Sequence, residues 1–306
     1  MNAIEVRNLS KSFGDVKAVD NISFSVKKGE FFGLLGPNGA GKTTTINMLT
    51  GLLEKDSGEI SILGKNPDED WEYVKNRMNV STAYFPISDV LTVRQALNVY
   101  SRIFGVKDCK RKISELLLKF ELTHLQNRRI ILLSSGERTR VAIAKGLLND
   151  PEVLFLDECT VGLDPDIAEK TRTLMREYQK ETGSTIFFTS HYMFEVEMLC
   201  GRIGFMMNGK LVKVDTSQNL KKIIRKTNVE MVVKEGKAGL LRDFLLEEDV
   251  DVMFMEDNRV AFEVASSGDR IYKLMNKIFA RGFKLSDLHI KRPTLDDIFI
   301  TLARRK

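Results

Sequence analysis

A loop that could cradle phosphate groups stands early in the chain. Its glycines let the main chain approach an anion closely, so that successive backbone N–H groups can point at the β- and γ-phosphates of a nucleotide. Lys42 would place its ammonium group against the same phosphates, and the hydroxyl of Thr43 is a hard oxygen ligand suited to Mg²⁺. The loop consists of Gly36, Pro37, Asn38, Gly39, Ala40, Gly41, Lys42, Thr43 and Thr44.

The neighbouring segments decide between a phosphate loop and a chance match of composition. The apolar run Phe31–Leu35 predicts a short buried strand before the loop, and residues 45–51 predict a helix that ends near a glycine. Phosphate binding at a helix N-terminus requires a strand, a glycine-rich turn and a helix in this order. The context therefore favours the functional interpretation over coincidence.

Two adjacent acids close a second apolar run, residues 151–158. The run predicts a buried strand of a parallel sheet, and such strands end at the crevice where a ligand binds. Asp157 would face the metal ion. Glu158, which lies on the other side of the strand if the chain stays extended, could orient or deprotonate the water that attacks the γ-phosphate. The alternative is a solvated strand end, which the phosphate loop upstream disfavours.

Between the loop and the acids stands the pentapeptide Leu133-Ser134-Ser135-Gly136-Glu137. The three patterns in this order resemble the nucleotide-binding subunit of an ATP-binding cassette (ABC) transporter, and the resemblance covers most of the chain. It implies ATP as substrate, Mg²⁺ as cofactor and a dimer in which two subunits enclose two ATP molecules. It further implies that Ser134 and the Gly136 N–H, with Ser135 and Glu137 beside them, contact the nucleotide of the second subunit from a helix N-terminus.

The same resemblance gives roles to three single residues. Asp164, in the loop 161–165, corresponds to an aspartate that bonds across the dimer interface. His191 follows a predicted apolar strand and corresponds to a histidine that contacts the γ-phosphate, although an isolated histidine is more often structural. Phe13 corresponds to the aromatic residue on which adenine stacks, and the alternative is packing into the amino-terminal sheet.

Two residues of the site regions depart from the family pattern. Ser135 stands where the pentapeptide usually has glycine, and it adds both bulk and a hydroxyl donor beside a phosphate. We therefore expect a weaker or altered contact with the second subunit. Cys159 stands after Glu158 where the family usually has proline, and packing is the expected reason.

A third departure concerns the attacking water. Ile87 falls where the family usually has a glutamine that contacts Mg²⁺ and the water, and an isoleucine side chain can do neither. Ser81, Thr82 or Ser88 could supply the missing oxygen. Slower or differently gated hydrolysis is therefore expected.

Composition restricts the remaining classes of function. The chain has 306 residues, of which 43% are hydrophobic, so two domains with sizeable cores are expected. The net charge is +5, and 47 basic residues are interspersed with 42 acidic ones, which disfavours nucleic acid as a partner. The three cysteines lack metal-ligand spacing and suit a reducing cytosol. No apolar run reaches the ~20 residues of a spanning helix, so another, polytopic chain must provide any membrane path.

The expected fold class is α/β, with a P-loop NTPase core, a small antiparallel β-subdomain and a helical subdomain. We predict a nucleotide-binding domain over residues 1–219, with the helical subdomain at about 87–148, and a carboxyl-terminal accessory domain over residues 220–306. The accessory domain is predicted to be a small α+β unit, because its apolar patterns follow the ferredoxin-like order β-α-β-β-α-β.

Residues 293–302 resemble the terminal helix of cassette ATPases that serve drug, antibiotic, sodium and polysaccharide exporters. Thr294, followed by Asp297 three residues later, gives this helix a physical start. The resemblance favours export as the direction of transport. The apolar face of the helix could dock on its own domain, on a second protomer or on a membrane subunit.

The sequence thus predicts an ATP-hydrolysing subunit that acts with a second nucleotide-binding domain and a polytopic membrane subunit. It would lie in the cytoplasm, peripheral to the inner face of the cell membrane. Two alternatives stay open: a cassette ATPase that acts on ribosomes or DNA, and a weakly hydrolysing regulatory ATP-binding module. The first usually has paired cassettes or long coiled coils, and this chain has one cassette and no heptad run. Ser135 and Ile87 suggest the second.

Overall fold

The structure is a computed structural model that describes residues 1–82, 88–221, 226–234, 236–265, 268–291, 294, 295, 297 and 298. The chain divides into two compact units, residues 1–216 and 217–306, which are described separately. The assignment of residues 1–219 to a nucleotide-binding domain and of residues 220–306 to an accessory domain remains a prediction. Within the described ranges, no helix combines the length and the apolar character needed to span a membrane.

The first unit contains strands and helices in a mixed order. Its strands are β1 (Asn2–Phe13), β2 (Val16–Lys27), β3 (Phe31–Leu35), β4 (Ser57–Ile62), β5 (Met78–Thr82), β6 (Val153–Asp157), β7 (Thr185–Ser190), β8 (Arg202–Met207) and β9 (Lys210–Asp215). Its helices are α1 (Lys42–Leu49), α2 (Trp71–Lys75), α3 (Val93–Ile103), α4 (Cys109–Lys119), α5 (Ser135–Gly146), α6 (Pro165–Thr182) and α7 (Met193–Leu199).

A largely parallel sheet with the strand order β5-β6-β7-β3-β8-β9 forms the centre of this unit. Strands β5, β6, β7, β3 and β8 are parallel to their neighbours, and β9 returns antiparallel to β8. Every residue of β3, β6 and β7 is buried, as expected for strands covered on both faces. The carboxyl ends of β3, β6 and β7 therefore meet at one edge, where the predicted loop, the acids and His191 follow.

A small antiparallel sheet with the order β2-β1-β4 packs against the parallel sheet through aromatic rings. The ring of Phe24 on β2 lies 5.7 Å from that of Phe32 on β3, and Phe187 on β7 lies 5.5 Å from Phe32 and 5.6 Å from Phe155. These centroid distances fall in the range of favourable aromatic pairs. The predicted antiparallel subdomain is therefore present and shares its core with the strands that position the site.

The hairpin between β8 and β9 supports the predicted phosphate loop. Asn208 and Gly209 both have positive φ, +48° and +76°, which is the two-residue turn that their sequence predicts. The Gly209 N–H donates to the carbonyl of Ala40 at 3.1 Å, and the Asp20 N–H donates to the Gly209 carbonyl at 2.8 Å. The hairpin tip is thus hydrogen-bonded both to the loop and to β2.

The described part of the segment between β5 and β6 contains helices α3, α4 and α5, as expected for a helical subdomain. The limits of about 87–148 remain a prediction, and residue 87 lies outside the described residues. Helix α3 begins with a capping box in which Thr92 and Gln95 bond each other's backbone N–H. Val93, Ala96 and Leu97 form its buried face, and Ile113, Leu116 and Leu117 form that of α4. Helix α5 completes the subdomain and carries the pentapeptide at its start.

The second unit has the predicted ferredoxin-like order. Its elements are α8 (Ser217–Lys221), β10 (Lys226–Val233), α9 (Ala238–Glu247), β11 (Asp251–Glu256), β12 (Arg259–Ala265), α10 (Gly268–Ala280) and β13 (Leu285–Lys291). The strands form an antiparallel sheet with the order β11-β12-β10-β13. Alternate residues of β10 and β12 are buried in a core that α9 and α10 complete. From α9 to β13 the predicted elements differ from the observed ones only at their ends.

The predicted start of the terminal helix is present in part. The Asp297 carboxylate accepts the Thr294 N–H at 2.8 Å, and the Thr294 hydroxyl accepts the Asp297 N–H at 3.2 Å, which is a reciprocal cap. Leu295 and Ile298 are buried. The remainder of the predicted apolar face, Phe299 and Leu302, lies outside the described residues.

Candidate nucleotide-binding site

The predicted phosphate loop connects β3 to α1, and its glycines are required by its surroundings. Gly41 has a φ of +105°, and a Cβ atom at this position would lie 2.2 Å from the carbonyl oxygen of Ala18. A Cβ atom on Gly36 would lie 2.2 Å from the carbonyl oxygen of Met206. Both distances are far below van der Waals contact, so only glycine fits. The main chain is thereby brought to the N-terminus of α1, where backbone N–H groups attract anions.

Lys42 is held at the mouth of this loop. The residue is only 4% exposed, and its ammonium group donates to the carbonyls of Gly36 at 2.8 Å and Pro37 at 3.0 Å. The same Nζ lies 3.2 Å from Oε1 of Glu158. The protein's own groups therefore hold the Lys42 ammonium group at the loop. The same group faces Glu158, the second of the two predicted acids.

Asp157, the last residue of β6, forms a cluster of oxygen atoms with two threonines. Its Oδ1 accepts a hydrogen bond from the hydroxyl of Thr189 on β7 at 2.5 Å and another from that of Thr43 at 3.4 Å. Asp157 is buried. Thr43 and Asp157 are thus brought together as the sequence predicts, and the pair offers the hard oxygen donors that Mg²⁺ prefers.

Thr189 is a site residue that the sequence analysis missed. Besides its bond to Asp157, its hydroxyl and its carbonyl each accept the Glu158 N–H at 3.2 Å. Thr189 is the register partner of Asp157 on the neighbouring parallel strand. A hydroxyl residue near the end of an apolar strand, two residues before the predicted His191, was the signal that could have identified it.

Glu158 does not continue the strand. Its φ is +48°, in the left-handed region that non-glycine residues rarely adopt, and β6 ends one residue earlier. The sequence analysis placed Glu158 on the opposite side of the strand only if the chain stays extended. The chain turns at Glu158, so this placement does not apply. The turned backbone directs the carboxylate toward the loop, where Oε1 contacts both Lys42 and, at 3.4 Å, Nδ1 of His191.

His191 follows β7 directly, as predicted. Its ring is about one quarter exposed and lies against the ring of Tyr192, with 4.1 Å between the centroids. The structure thus brings together three predicted residues, Lys42, Glu158 and His191, that come from three different segments. A structural role for His191 deep in the core is excluded by this position at the rim of the site.

The pentapeptide forms the start of α5. The helix begins at Ser135, with Ser134 as its N-cap residue. The Ser134 hydroxyl accepts the Glu137 N–H at 3.3 Å, and the Glu137 carboxylate accepts the Ser134 N–H at 2.8 Å. No hydrogen bond of the described residues joins the pentapeptide to the phosphate loop of the same chain. Ser134 and Ser135 are exposed.

Gly136 has a packing role that its expected contact with phosphate did not reveal. A Cβ atom at this position would lie 2.3 Å from Cγ2 of Ile167 on α6. The two helices therefore approach each other at this glycine, close to the start of α5. Because the exposed residues Ser134 and Ser135 lie beside this contact, it also fixes how they are presented.

Asp164 and Phe13 are both available for contacts outside the chain. Asp164 precedes α6, whose first residue is Pro165, and its exposed side chain makes no capping hydrogen bond to the described backbone. Phe13, the last residue of β1, is 52% exposed, and the ammonium group of Lys11 lies 5.8 Å from its ring centroid. The ring is therefore not packed into the core of the amino-terminal sheet.

The two remaining departures from the family pattern differ in outcome. Ile87 lies outside the described residues. Of the residues suggested to replace its missing oxygen, Thr82 is the register partner of Asp157, whereas Ser81 is fully buried one residue earlier on β5. Cys159 is buried, and both burial and the negative charge of Glu195 raise the pKa of its thiol. A thiol that stays neutral agrees with a packing role.

Several proteins of known family resemble this chain. The family model described as ABC transporter matches residues 19–161. The linearmycin resistance ATP-binding protein LnrL of Bacillus subtilis (strain 168) is 32% identical over 308 residues, which cover 99% of this chain and 98% of that protein. The bacitracin transport ATP-binding protein BcrA of Bacillus licheniformis is 33% identical over 311 residues, which cover 98% and 96%.

A solved structure shares the fold. The structure of cbiO1 from Clostridium perfringens, part of the ABC transporter complex cbiONQ, has a TM-score of 0.64 and 26% identity to this chain. The match covers 81% of this chain and 99% of the other. Its extent exceeds the first unit, which ends at residue 216.

Proposed function

Because the chain belongs to the ABC transporter family as an ATP-binding protein, we propose that it hydrolyses ATP at this site and powers export through a separate membrane subunit. The observation that carries the proposal is the meeting of Lys42, Glu158 and His191 at the mouth of the phosphate loop. A cationic group for phosphate, a carboxylate for water and an imidazole beside the carboxylate are groups suited to phosphoryl transfer to water.

The residues present fit a nucleotide with its metal ion. Gly36 and Gly41 leave no space for side chains, so the backbone itself forms the phosphate cradle there. Thr43 and Asp157 fit Mg²⁺, because their oxygen atoms already lie 3.4 Å apart. When bound, the ion neutralises charge on the β- and γ-phosphate oxygens. Adenine would stack on the exposed ring of Phe13.

In the proposed reaction Glu158 orients the attacking water and accepts its proton. The water oxygen bonds to the γ-phosphorus while the bond to the β–γ bridging oxygen breaks, which gives ADP and phosphate. Lys42 stabilises the negative charge of the transferred group, and His191 contacts the γ-phosphate from the other side. A γ-phosphate competes with Glu158 for the Lys42 ammonium group, so substrate binding frees the carboxylate for the water.

A second copy or a related subunit completes the site in this proposal. The exposed hydroxyls of Ser134 and Ser135 and the N–H of Gly136 would meet the γ-phosphate held by the other protomer. Asp164 would bond across the interface. The observation in support is that Ser134, Ser135 and Asp164 are exposed and that, within the described ranges, none of them is hydrogen-bonded to the phosphate loop of its own chain. Closure of the dimer on ATP and its release after hydrolysis would drive the membrane subunit.

Export is the direction that the relatives support. LnrL is named for linearmycin resistance and BcrA for bacitracin transport, and both are covered almost entirely by this chain. We propose a related duty here, with a polytopic membrane partner and a position peripheral to the inner face of the cell membrane. The alternative duties on ribosomes or DNA gain no support from these relatives. Copurification from detergent-solubilised membranes tests the proposal: a polytopic partner supports it, and ribosomes or DNA contradict it.

The variant Glu158→Gln tests the catalytic assignment. It keeps the shape of the side chain but removes the base, so turnover is expected to fall by ~10²-fold or more while ATP binding persists. ATPase rates and ATP affinity of the full chain measure the two effects. Glu152→Gln is a matched control, because Glu152 precedes β6 and so lies at the other end of the same strand, paired with Lys28. A Glu158→Gln variant that hydrolyses at the parental rate would refute the role.

A further inference from the structure

Behind His191 lies a buried ion pair that the proposed reaction does not use. Glu195 on α7 and Arg172 on α6 are 5% and 7% exposed. The guanidinium group of Arg172 donates to Oε1 of Glu195 at 2.9 Å, and the hydroxyl of Ser190 donates to Oε2 at 2.8 Å. The Ser190 Oγ in turn accepts the backbone N–H of Tyr192 at 3.0 Å. The carboxylate is therefore bonded to the residue before His191 and, through it, to the residue after.

This chain of contacts restrains His191 from both sides. Ser190 and Tyr192 are bonded to each other through one hydroxyl, so the backbone between them has little freedom to rotate. The His191 ring rests on that of Tyr192, and its Nδ1 lies 3.4 Å from Oε1 of Glu158. Among the hydrogen bonds of the described residues, Glu195 makes none to His191 or to Glu158. It acts on the imidazole only through Ser190.

Stability alone does not explain this arrangement. Moving two charges out of water costs free energy that their attraction often fails to return, and apolar residues of similar volume are frequently at least as stabilising. In addition, Arg172 Nε is buried without a hydrogen-bond partner among the described residues. A costly pair directly behind a catalytic segment is better explained by the orientation that it imposes.

We propose that Glu195, held in place by Arg172, is a positioning residue that sets the imidazole of His191 against Glu158 through the hydroxyl of Ser190. The inference rests on the proposed function, because it assumes that His191 and Glu158 take part in hydrolysis. It adds three residues that the proposed reaction does not use directly: Arg172, Ser190 and Glu195. We expect their substitution to lower kcat for ATP hydrolysis and to leave the affinity for the nucleotide unchanged.

The variant Ser190→Ala tests the proposal in the full chain, because it removes the link and adds no bulk. The expected result is a kcat for ATP hydrolysis that falls between about 10-fold and 100-fold, with a KM for ATP within about twofold of the parent. Ser190→Thr keeps the hydroxyl and is expected to restore most of the lost kcat. A parental kcat in Ser190→Ala, or a change confined to KM, overturns the proposal.

Glu30→Gln is a control for general destabilisation, because it weakens a partly buried ion pair outside the site. Glu30 pairs with Arg202 at 3.2 Å beside the other ends of the parallel strands. Its variant is expected to lower the melting temperature at least as much as Ser190→Ala while keeping the parental kcat. A Glu30→Gln variant with the same loss of kcat would mean that general destabilisation, and not positioning, explains Ser190→Ala.

A double-mutant cycle separates this inference from the proposed function. If Ser190 acts through His191, Ser190→Ala causes no further loss of kcat in a His191→Ala background. Losses that multiply in the double variant overturn the positioning role and leave the role of His191 intact. A His191→Ala variant with parental kcat instead contradicts the proposed function itself.

Discussion

Glu158 shows how one residue can combine backbone strain with side-chain chemistry. Its left-handed backbone costs of the order of 1 kcal/mol for a residue with a Cβ atom. The strain is held by Thr189, whose hydroxyl and carbonyl both accept the Glu158 N–H. Because the backbone turns there, Oε1 faces Lys42 and His191 and not the opposite side of the sheet. Thr189 thus fixes Asp157 and the adjacent Glu158 at once.

Lys145 is a second residue with an unusual electrostatic environment. It is 1% exposed on α5, and its ammonium group lies 5.2 Å from the ring centroid of Tyr100 on α3. Burial lowers the pKa of Lys145 from 10.5 to about 7. The folded chain therefore binds fewer protons than the unfolded chain between pH 7 and 10.5, and its free energy of unfolding rises with pH in that window.

We predict that Lys145→Met removes this pH dependence. Between pH 7 and pH 9 the parent should gain up to about 1 kcal/mol of stability per pH unit relative to the variant. Urea unfolding of both proteins at pH 7, 8 and 9, followed by far-ultraviolet circular dichroism, measures the difference. Identical pH profiles for the two proteins would show that Lys145 titrates at its ordinary pKa when folded.

At the scale of elements, the contact between α5 and α6 sets the position of the exposed residues Ser134 and Ser135 at the start of α5. Gly136 allows this contact, since a Cβ atom there would overlap Ile167. We predict that Gly136→Ala pushes the start of α5 away from α6, lowers stability by about 1–3 kcal/mol and reduces ATP hydrolysis. Thermal unfolding and ATPase rates of the full chain measure both effects.

Two further variants identify the cause of that loss. Ile167→Ala in the same chain removes the overlapping methyl group and is expected to restore part of the lost activity. Gly239→Ala is the matched control, because Gly239 lies in α9 and a Cβ atom there meets nothing within 4 Å. If adding Ile167→Ala to Gly136→Ala restores no activity, the loss in Gly136→Ala comes from the proposed phosphate contact and not from helix packing.

Local sequence signals were sufficient for most of these elements. The Asn208-Gly209 turn, the Thr92 cap and the glycines of the phosphate loop depend on a few adjacent residues, so their structures could be predicted. The register of the parallel strands and the approach of α5 to α6 arise between distant segments. For that reason the sequence did not reveal the bonds of Thr189 or the packing role of Gly136.

Glu158 and Glu195 illustrate the same limit at the site itself. The type and position of Glu158 were evident from the run of apolar residues before it, but its left-handed backbone was not. Glu195 is one of two acids in the otherwise apolar helix α7, and its burial against Arg172 depends on α6 and α7 lying side by side. The role proposed for Glu195 passes through the side chain of Ser190 and therefore leaves no local signal.

At the scale of the whole molecule, the predicted site residues all lie in the first compact unit, residues 1–216. The second unit has a separate core with its own sheet and helices. We predict that a chain ending at residue 216 folds and binds ATP with an affinity within about threefold of the full chain, since it keeps every predicted site residue. Calorimetric titration with ATP and a thermal unfolding scan provide the measurements.

Residues 217–306 expressed alone serve as the control for that experiment. They are expected to unfold cooperatively and to bind no ATP, because the phosphate loop is absent from them. Loss of ATP binding in the shortened chain would show that the second unit contributes to the site. The division of labour assumed for residues 1–219 and 220–306 would then be wrong.

The hairpin at Asn208-Gly209 has a consequence for engineering. Tips of two-residue hairpins usually accept foreign peptides, since they project into solvent. Here the Gly209 N–H donates to the Ala40 carbonyl, and the Gly209 carbonyl accepts the Asp20 N–H. An inserted tag would break these hydrogen bonds and displace the phosphate loop. Among active variants from a library of random insertions, we therefore expect none with an insertion at this tip, even though the sequence alone predicts a permissive site.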